Sequence, residues 1–190
     1  MKRSVKSAHH TYVFIDSANL WEMQKYKRRL IDYEKLVKYI FRRFPSKKIK
    51  FFYYEAYPEE GTRSYNLGDR HKFYTFLEKG LKFKVIKKPL KRINVRVGSK
   101  HFVQEKGNMD VEMTIDAVHH RHQYQQVVLL TGDSDFLSLV QYLRTRNKKV
   151  YILASQASVS EELRTGADGY LNIIAIKSIW GDSLKHRADK

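Results

Sequence analysis

Apolar residues recur along this chain at two spacings, and the two take turns. Short runs rich in strand formers occur at Tyr12–Ile15, Lys50–Ala56, Leu81–Ile86, Val127–Leu130, Val150–Ala154 and Tyr170–Ile174. Between them lie stretches with helical spacing. Leu36, Val37, Ile40, Phe41 and Phe44 form one, after Asp32 as an N-cap and before Pro45. Phe73, Phe76 and Leu77 form a second, capped by Gly80. A third, opened by Gly107-Asn108, holds Met109, Met113, Ile115, Ala117 and Val118. A fourth, from Asp135 to Arg146, holds Phe136, Leu139, Val140 and Leu143. Ser158 or Ser160 caps a short fifth around Leu163. Strand and helix in alternation predict a three-layer α/β/α fold with a mainly parallel central sheet.

The remaining segments break both patterns. Asp16-Ser17-Ala18-Asn19 favours a turn, and a loop is expected from there through Trp21 to the basic patch Lys25–Arg29. Tyr57–Arg70 reads as a polar loop overhanging the strand ends. Lys87–Lys106 is irregular and basic, with short strands at Val95–Val97 and His101–Val103 in a hairpin. One domain over residues 11–177 is expected, between a basic arm at 1–10 and a charged tail at 178–190.

Charge changes this picture more than size does. With 37 Lys+Arg against 20 Asp+Glu, the formal charge of +17 predicts a polyanionic partner. Nucleic acid and an anionic membrane surface both fit that sign. No apolar run approaches the roughly 20 residues of a membrane span, so a soluble, cytoplasmic protein without membrane contact is expected. A monomer and a homodimer are both compatible with the chain. The absence of cysteine excludes disulfides, thiolate metal sites and thiol nucleophiles.

Against that basic background, acids gathered at strand ends call for a reason. Asp16 follows the first strand, Asp133 and Asp135 follow VVLL at Val127–Leu130, and Asp110 lies in the first turn of the helix after Lys106-Gly107. Strand carboxyl ends are where open α/β sheets bind ligands. Phosphodiester cleavage by metal-activated water needs such a set of carboxylates, because divalent cations must be held against nucleophile and leaving group. Each acid has a plainer role as a helix cap or dipole partner, Asp135 above all. Asp116 lies about 240° round the helix from Asp110 and is therefore a supporting acid. Asn19 is placed to orient Asp16 or a phosphate, or to stabilise the turn; Thr131 and Ser134 flank Asp133 with hydroxyls. His119, His120 and His122 lack the convergent ligands a zinc site needs.

Three segments carry a family resemblance: VFIDSANL at Val13–Leu20, KGNMDVEMTIDA at Lys106–Ala117 and LLTGDSDFLSLVQYLR at Leu129–Arg144. Together with ILASQASVSEELRTGADGYLNI at Ile152–Ile173, they resemble the signature segments of the NYN domain family, the LabA-like branch of the PIN-like nuclease superfamily. The likeness spans about residues 11–175. It departs from the common Lys-Gly-x-Asp form by one residue at Asn108-Met109. The resemblance implies that Asp16, Asp110, Asp133 and Asp135 bind Mg²⁺ or Mn²⁺ for endonucleolytic cleavage of RNA, with Asn19 beside them. Single-stranded RNA is the expected substrate, with DNA left open.

The cationic residues expected to face it are Lys25, Lys27, Arg28, Lys87, Lys88, Lys91, Arg92, Arg96, Lys100 and Lys106, with Lys87–Lys100 the foremost element. A non-catalytic RNA-binding module is the alternative. A phosphatase of the haloacid dehalogenase type needs a second Asp two positions after the first, where this chain has Ala18.

Overall fold

Six of the apolar runs pair into one sheet. The computed structural model describes residues 9–58, 62, 68–98 and 100–184, so most of the basic arm at 1–10, most of the 57–70 loop and residues 185–190 lie outside the description. The sheet comprises β1 (His10–Asp16), β3 (Lys48–Tyr57), β4 (Lys84–Pro89), β7 (Gln126–Leu130), β8 (Lys149–Ala154) and β9 (Gly169–Asn172). Its order is β4-β3-β1-β7-β8-β9 and every pairing is parallel. The fold is thus the three-layer α/β/α arrangement that alternation predicts.

The connecting helices are α1 (Ser17–Lys27), α2 (Tyr33–Arg43), α3 (Gly68–Thr75), α4 (Asp110–His119), α5 (Leu137–Thr145) and α6 (Glu161–Gly166). Right-handed crossovers put α1–α3 on one face and α4–α6 on the other, where α5 touches both α4 and α6. Val127–Leu130 is therefore covered on both sides and fully buried, which is why it reads as a continuous apolar run. Aromatics fill the space under α4, where Phe14 stacks on Phe52 with ring centroids 4.9 Å apart. On the opposite face Tyr33 packs edge-on to Tyr53.

Three segments differ from the sequence expectation. Residues 17–27 are a helix, not a loop. Asp16 caps it by accepting the Ala18 and Asn19 N–H groups, and Arg28 ends it in the left-handed region at φ 56°. Only Leu20, Met23 and Gln24 are buried along it, too few positions to leave a periodic signal. Second, Trp180–Ser183, inside the expected tail, forms β10 and pairs antiparallel with β2 (Arg29–Ile31). Trp180 is buried there, and the Asp32 N–H bonds to the Ile179 carbonyl at 2.9 Å. Third, the basic irregular stretch is a full hairpin of β5 (Lys91–Val97) and β6 (Lys100–Lys106), with Gly98 in its turn at φ 62°.

Strand order also fixes where a site must lie. From β1 the chain steps outward through β3 to β4, then returns past β1 to β7 and continues to β8 and β9. The reversal falls between β1 and β7. At such a switch point adjacent loops diverge to opposite faces and leave a crevice at the carboxyl ends of the strands.

Candidate metal centre

Asp16 is the last residue of β1 and is 8% exposed. Both its oxygens are engaged. Oδ1 accepts from the N–H groups of Ala18 at 3.0 Å and Asn19 at 3.2 Å, and Oδ2 accepts from the Thr131 hydroxyl at 3.2 Å. Burial nevertheless lifts its carboxyl above the ordinary range, with the Asp133 charge adding a smaller push in the same direction. Thr131 in turn accepts the Asp133 N–H at 3.2 Å, so one hydroxyl ties the β1 ending to the β7 ending. Asn19 makes a second tie by accepting the Gly132 N–H at 2.9 Å. Gly132 has room for no side chain, since a Cβ there would lie 2.8 Å from the Ser158 carbonyl oxygen.

Asp133 itself caps the single 3₁₀ turn Ser134–Phe136 that precedes α5, its Oδ1 accepting the Asp135 N–H at 3.0 Å. The cap expected of Asp135 is therefore supplied by Asp133, and Asp135 stands exposed at the mouth of the crevice. Asp110 approaches from the start of α4, where the Asn108 amide donates to its Oδ2 at 2.6 Å. The extra residue at Asn108-Met109 does not turn it away. Carboxylate oxygens of Asp110, Asp133 and Asp135 all lie within 4.8 Å of one another. Asp16 stands behind this trio and lines the same cleft, which has a volume of about 790 Å³.

Such crowding has an electrostatic cost. Burial first, then the charges of Asp16, Asp133, Asp135 and Glu112, push the Asp110 carboxyl up to about 6. Three convergent, all-oxygen ligands suit a hard divalent cation of the Mg²⁺ or Mn²⁺ kind and do not resemble the nitrogen and sulfur sets that favour zinc. Among the described residues no other group of acids or histidines converges in this way, the histidines at 119–122 included.

The supporting residues divide. Asn19 and Thr131 join the two loops as described, whereas Ser134 is exposed and does not line the cleft. Asp116 faces elsewhere, accepting the Tyr54 hydroxyl at 2.8 Å and lying 3.6 Å from Lys84 Nζ.

The cations divide too. Lys25, Lys27 and Arg28 end α1, and a rise of about 1.5 Å per residue puts them roughly 14–18 Å along the helix from Asp16. Lys25 pairs with Glu22 at 2.7 Å. Lys88 is paired with Glu112 at 2.7 Å, and the Lys87 ammonium sits 4.7 Å above the Tyr74 ring. Lys91, Arg92, Arg96 and Lys106 stand on the hairpin, whose base at Leu90 and Gly107 forms part of the cleft wall. Lys100 lies on β6 with its side chain outside the description. Arg92 approaches Glu105 at 4.0 Å, and Arg96 bonds to the Gly98 carbonyl.

Two lining residues escape the sequence reading. Glu55, near the end of β3, is half-buried against Arg70 of α3 at 3.1 Å, and burial raises its carboxyl while Arg70 offsets part of that. Glu55 follows FFYY as Asp16 follows YVFI, so the same strand-end rule finds it. Trp21 lines the cleft from α1.

Comparison with known proteins agrees with this architecture. The NYN domain family matches residues 10–174. "Low amplitude and bright protein LabA" of Synechococcus elongatus is 24% identical over 166 residues, covering 87% of this chain and 84% of that one. A crystal structure of a protein of unknown function from Vibrio parahaemolyticus superposes with a TM-score of 0.69 at 24% identity, covering 95% of this chain and 99% of the other.

Proposed function

The chain belongs to the NYN domain family, and we infer that it is a divalent-cation-dependent endoribonuclease acting on single-stranded RNA. The observation that carries this reading is the convergence of Asp110, Asp133 and Asp135 at the switch point of the sheet, in a chain of formal charge +17. A bare acidic trio repels a polyanion. A divalent cation held between the three carboxylates would offset two of their three charges and would supply the Lewis acidity that phosphodiester hydrolysis needs.

The chain's own residues do the rest. Asp110, Asp133 and Asp135 present the ligand oxygens, and Asp135, the most exposed, is nearest to incoming substrate. Asp16 is a positioning residue: with both oxygens engaged, it holds Thr131 and the start of α1 so that the Asp133 loop is fixed. That engagement also makes it a poor nucleophile, contrary to a phosphatase role. The hairpin cations bind phosphates on either side of the bond to be cut. Water adds at phosphorus, the bond to the 3′ oxygen breaks, and the departing oxygen takes a proton, leaving a 5′-phosphate and a 3′-hydroxyl.

Incubation of the purified chain with labelled single-stranded RNA and Mn²⁺ or Mg²⁺ tests this. Cleavage is expected, falling by at least about 100-fold in Asp133→Asn because a ligand oxygen is lost. Intact RNA, or equal activity of the variant, contradicts it. A binding-only role is the second reading, favoured by the name of the LabA relative, which records amplitude and brightness and no reaction. RNA affinity without divalent-ion binding in calorimetry would support that second reading.

A further inference from the structure

The acidic cleft does not end at the carboxylates. It continues past Glu55 and Arg70 into a second recess of about 540 Å³, and the two share Trp21, Gln24, Tyr53, Glu55 and Arg70. Beyond the shared wall the recess is largely aromatic and aliphatic, formed by Tyr33, Phe73, Phe76 and Leu30. The chain has two tryptophans, and their environments are opposite: Trp180 is 4% exposed in the core, whereas Trp21 is 44% exposed at the junction of the two cavities. Leu20 and Met23 anchor α1 in the core, so Trp21 contributes little to holding the helix in place. A lone surface tryptophan needs no explanation, but one at the mouth of a groove leading to a candidate active site does.

We propose that this recess is a base-binding subsite, in which Trp21 stacks on an unpaired nucleobase next to the scissile phosphate and Arg70 meets the phosphate of that nucleotide. The identity of the occupant rests on the ribonuclease reading, because the recess opens from the same cleft. Among the described residues Arg70 is the one cation lining the recess, beside the acids Glu55, Asp32 and Glu34, so the aromatic wall and the continuity with the cleft, not net charge, favour a base there. The guanidinium of Arg70 carries five donors, and its Nη1 contacts Glu55 at 3.1 Å. Asp32, at the far wall, is already matched by Lys35 at 3.1 Å and does not present a free negative charge to the strand. A base can enter only when it is not stacked and paired within a duplex, so the subsite selects single strands. Every base offers a π-face, so the selection is by strandedness and tolerant of sequence.

The two tryptophans make the test direct. Metal-free chain in EDTA is titrated with an eight-nucleotide single-stranded RNA and with the blunt duplex of the same sequence, following tryptophan emission. The single strand is expected to quench emission, and Trp21→Phe to abolish that quench because the remaining tryptophan is buried. Trp21→Ala is expected to weaken single-strand binding by about 10-fold or more, with an unchanged melting temperature showing that the fold is intact. A quench that survives in Trp21→Phe, unaltered affinity in Trp21→Ala, or equal affinity for the duplex overturns the proposal. Cleavage with Mn²⁺ but no response of Trp21 removes the subsite and leaves the ribonuclease reading standing. A Trp21-dependent quench without cleavage keeps the subsite and removes the ribonuclease reading.

Discussion

Asp16 and Asp133 both end apolar strands, yet their oxygens are engaged differently. Asp16 caps α1 and accepts from Thr131, so its carboxylate is structural first; Asp133 uses Oδ1 for a cap and belongs to the acidic trio. Asp16→Ala is therefore expected to lower the melting temperature, losing about 1 kcal/mol with the cap alone. Asp110→Asn should do the reverse. The folded chain holds the Asp110 proton up to about pH 6, whereas the unfolded chain loses it near 3.8. Proton binding thus favours the folded state below that window, and this stability is lost as pH rises through it. In EDTA the variant should match the wild type near pH 4 and exceed it above pH 6 to 7, where about 1 kcal/mol of relief corresponds to roughly 2–4 °C. Differential scanning fluorimetry across that range checks it. Added Mn²⁺ should stabilise the wild type and not the variant.

At the scale of elements, β7 and α5 announce themselves because burial on both faces and a helical period leave strong patterns. α1 leaves almost none, since its existence rests on one capping aspartate and a few buried residues. β10 is similarly silent: Trp180 is its single buried residue, and its partner β2 is three residues long. The hairpin is legible only in part: Val95–Val97 and His101–Val103 mark its tip, whereas the cations of the flanking residues hide the full length of both strands. Gly107 at its base is packed against Leu90 and would place a Cβ 2.6 Å from the Ala56 Cβ. Gly107→Ala should cost about 1–3 kcal/mol by overpacking and disturb the cleft wall, which thermal melting would register. Alanine at Lys91, Arg92, Arg96 and Lys106 should weaken RNA binding and flatten its salt dependence by roughly 0.7 in slope per lost phosphate contact. Filter binding at several salt concentrations would show an unchanged slope if the hairpin plays no part.

Across the whole molecule, a surplus of positive charge surrounds one concentrated negative site, and the strand order puts that site where the sheet reverses direction. Periodicity predicts the layers, and three of the four acids read at strand and helix ends converge. Neither reveals that Asp16 lies behind the others or that Glu55 and Arg70 border the same cleft, because those relations depend on tertiary packing between β1, β3 and α3. Among the described residues no helix is long and apolar enough to cross a membrane. The central claim is that the trio holds a divalent cation, and a crystal soaked in Mn²⁺ tests it most directly. An anomalous peak between Asp110, Asp133 and Asp135, with carboxylate oxygens about 2.0–2.2 Å away as hard octahedral cations require, is the predicted result. Saturating Mn²⁺ with no peak between those three side chains would contradict it.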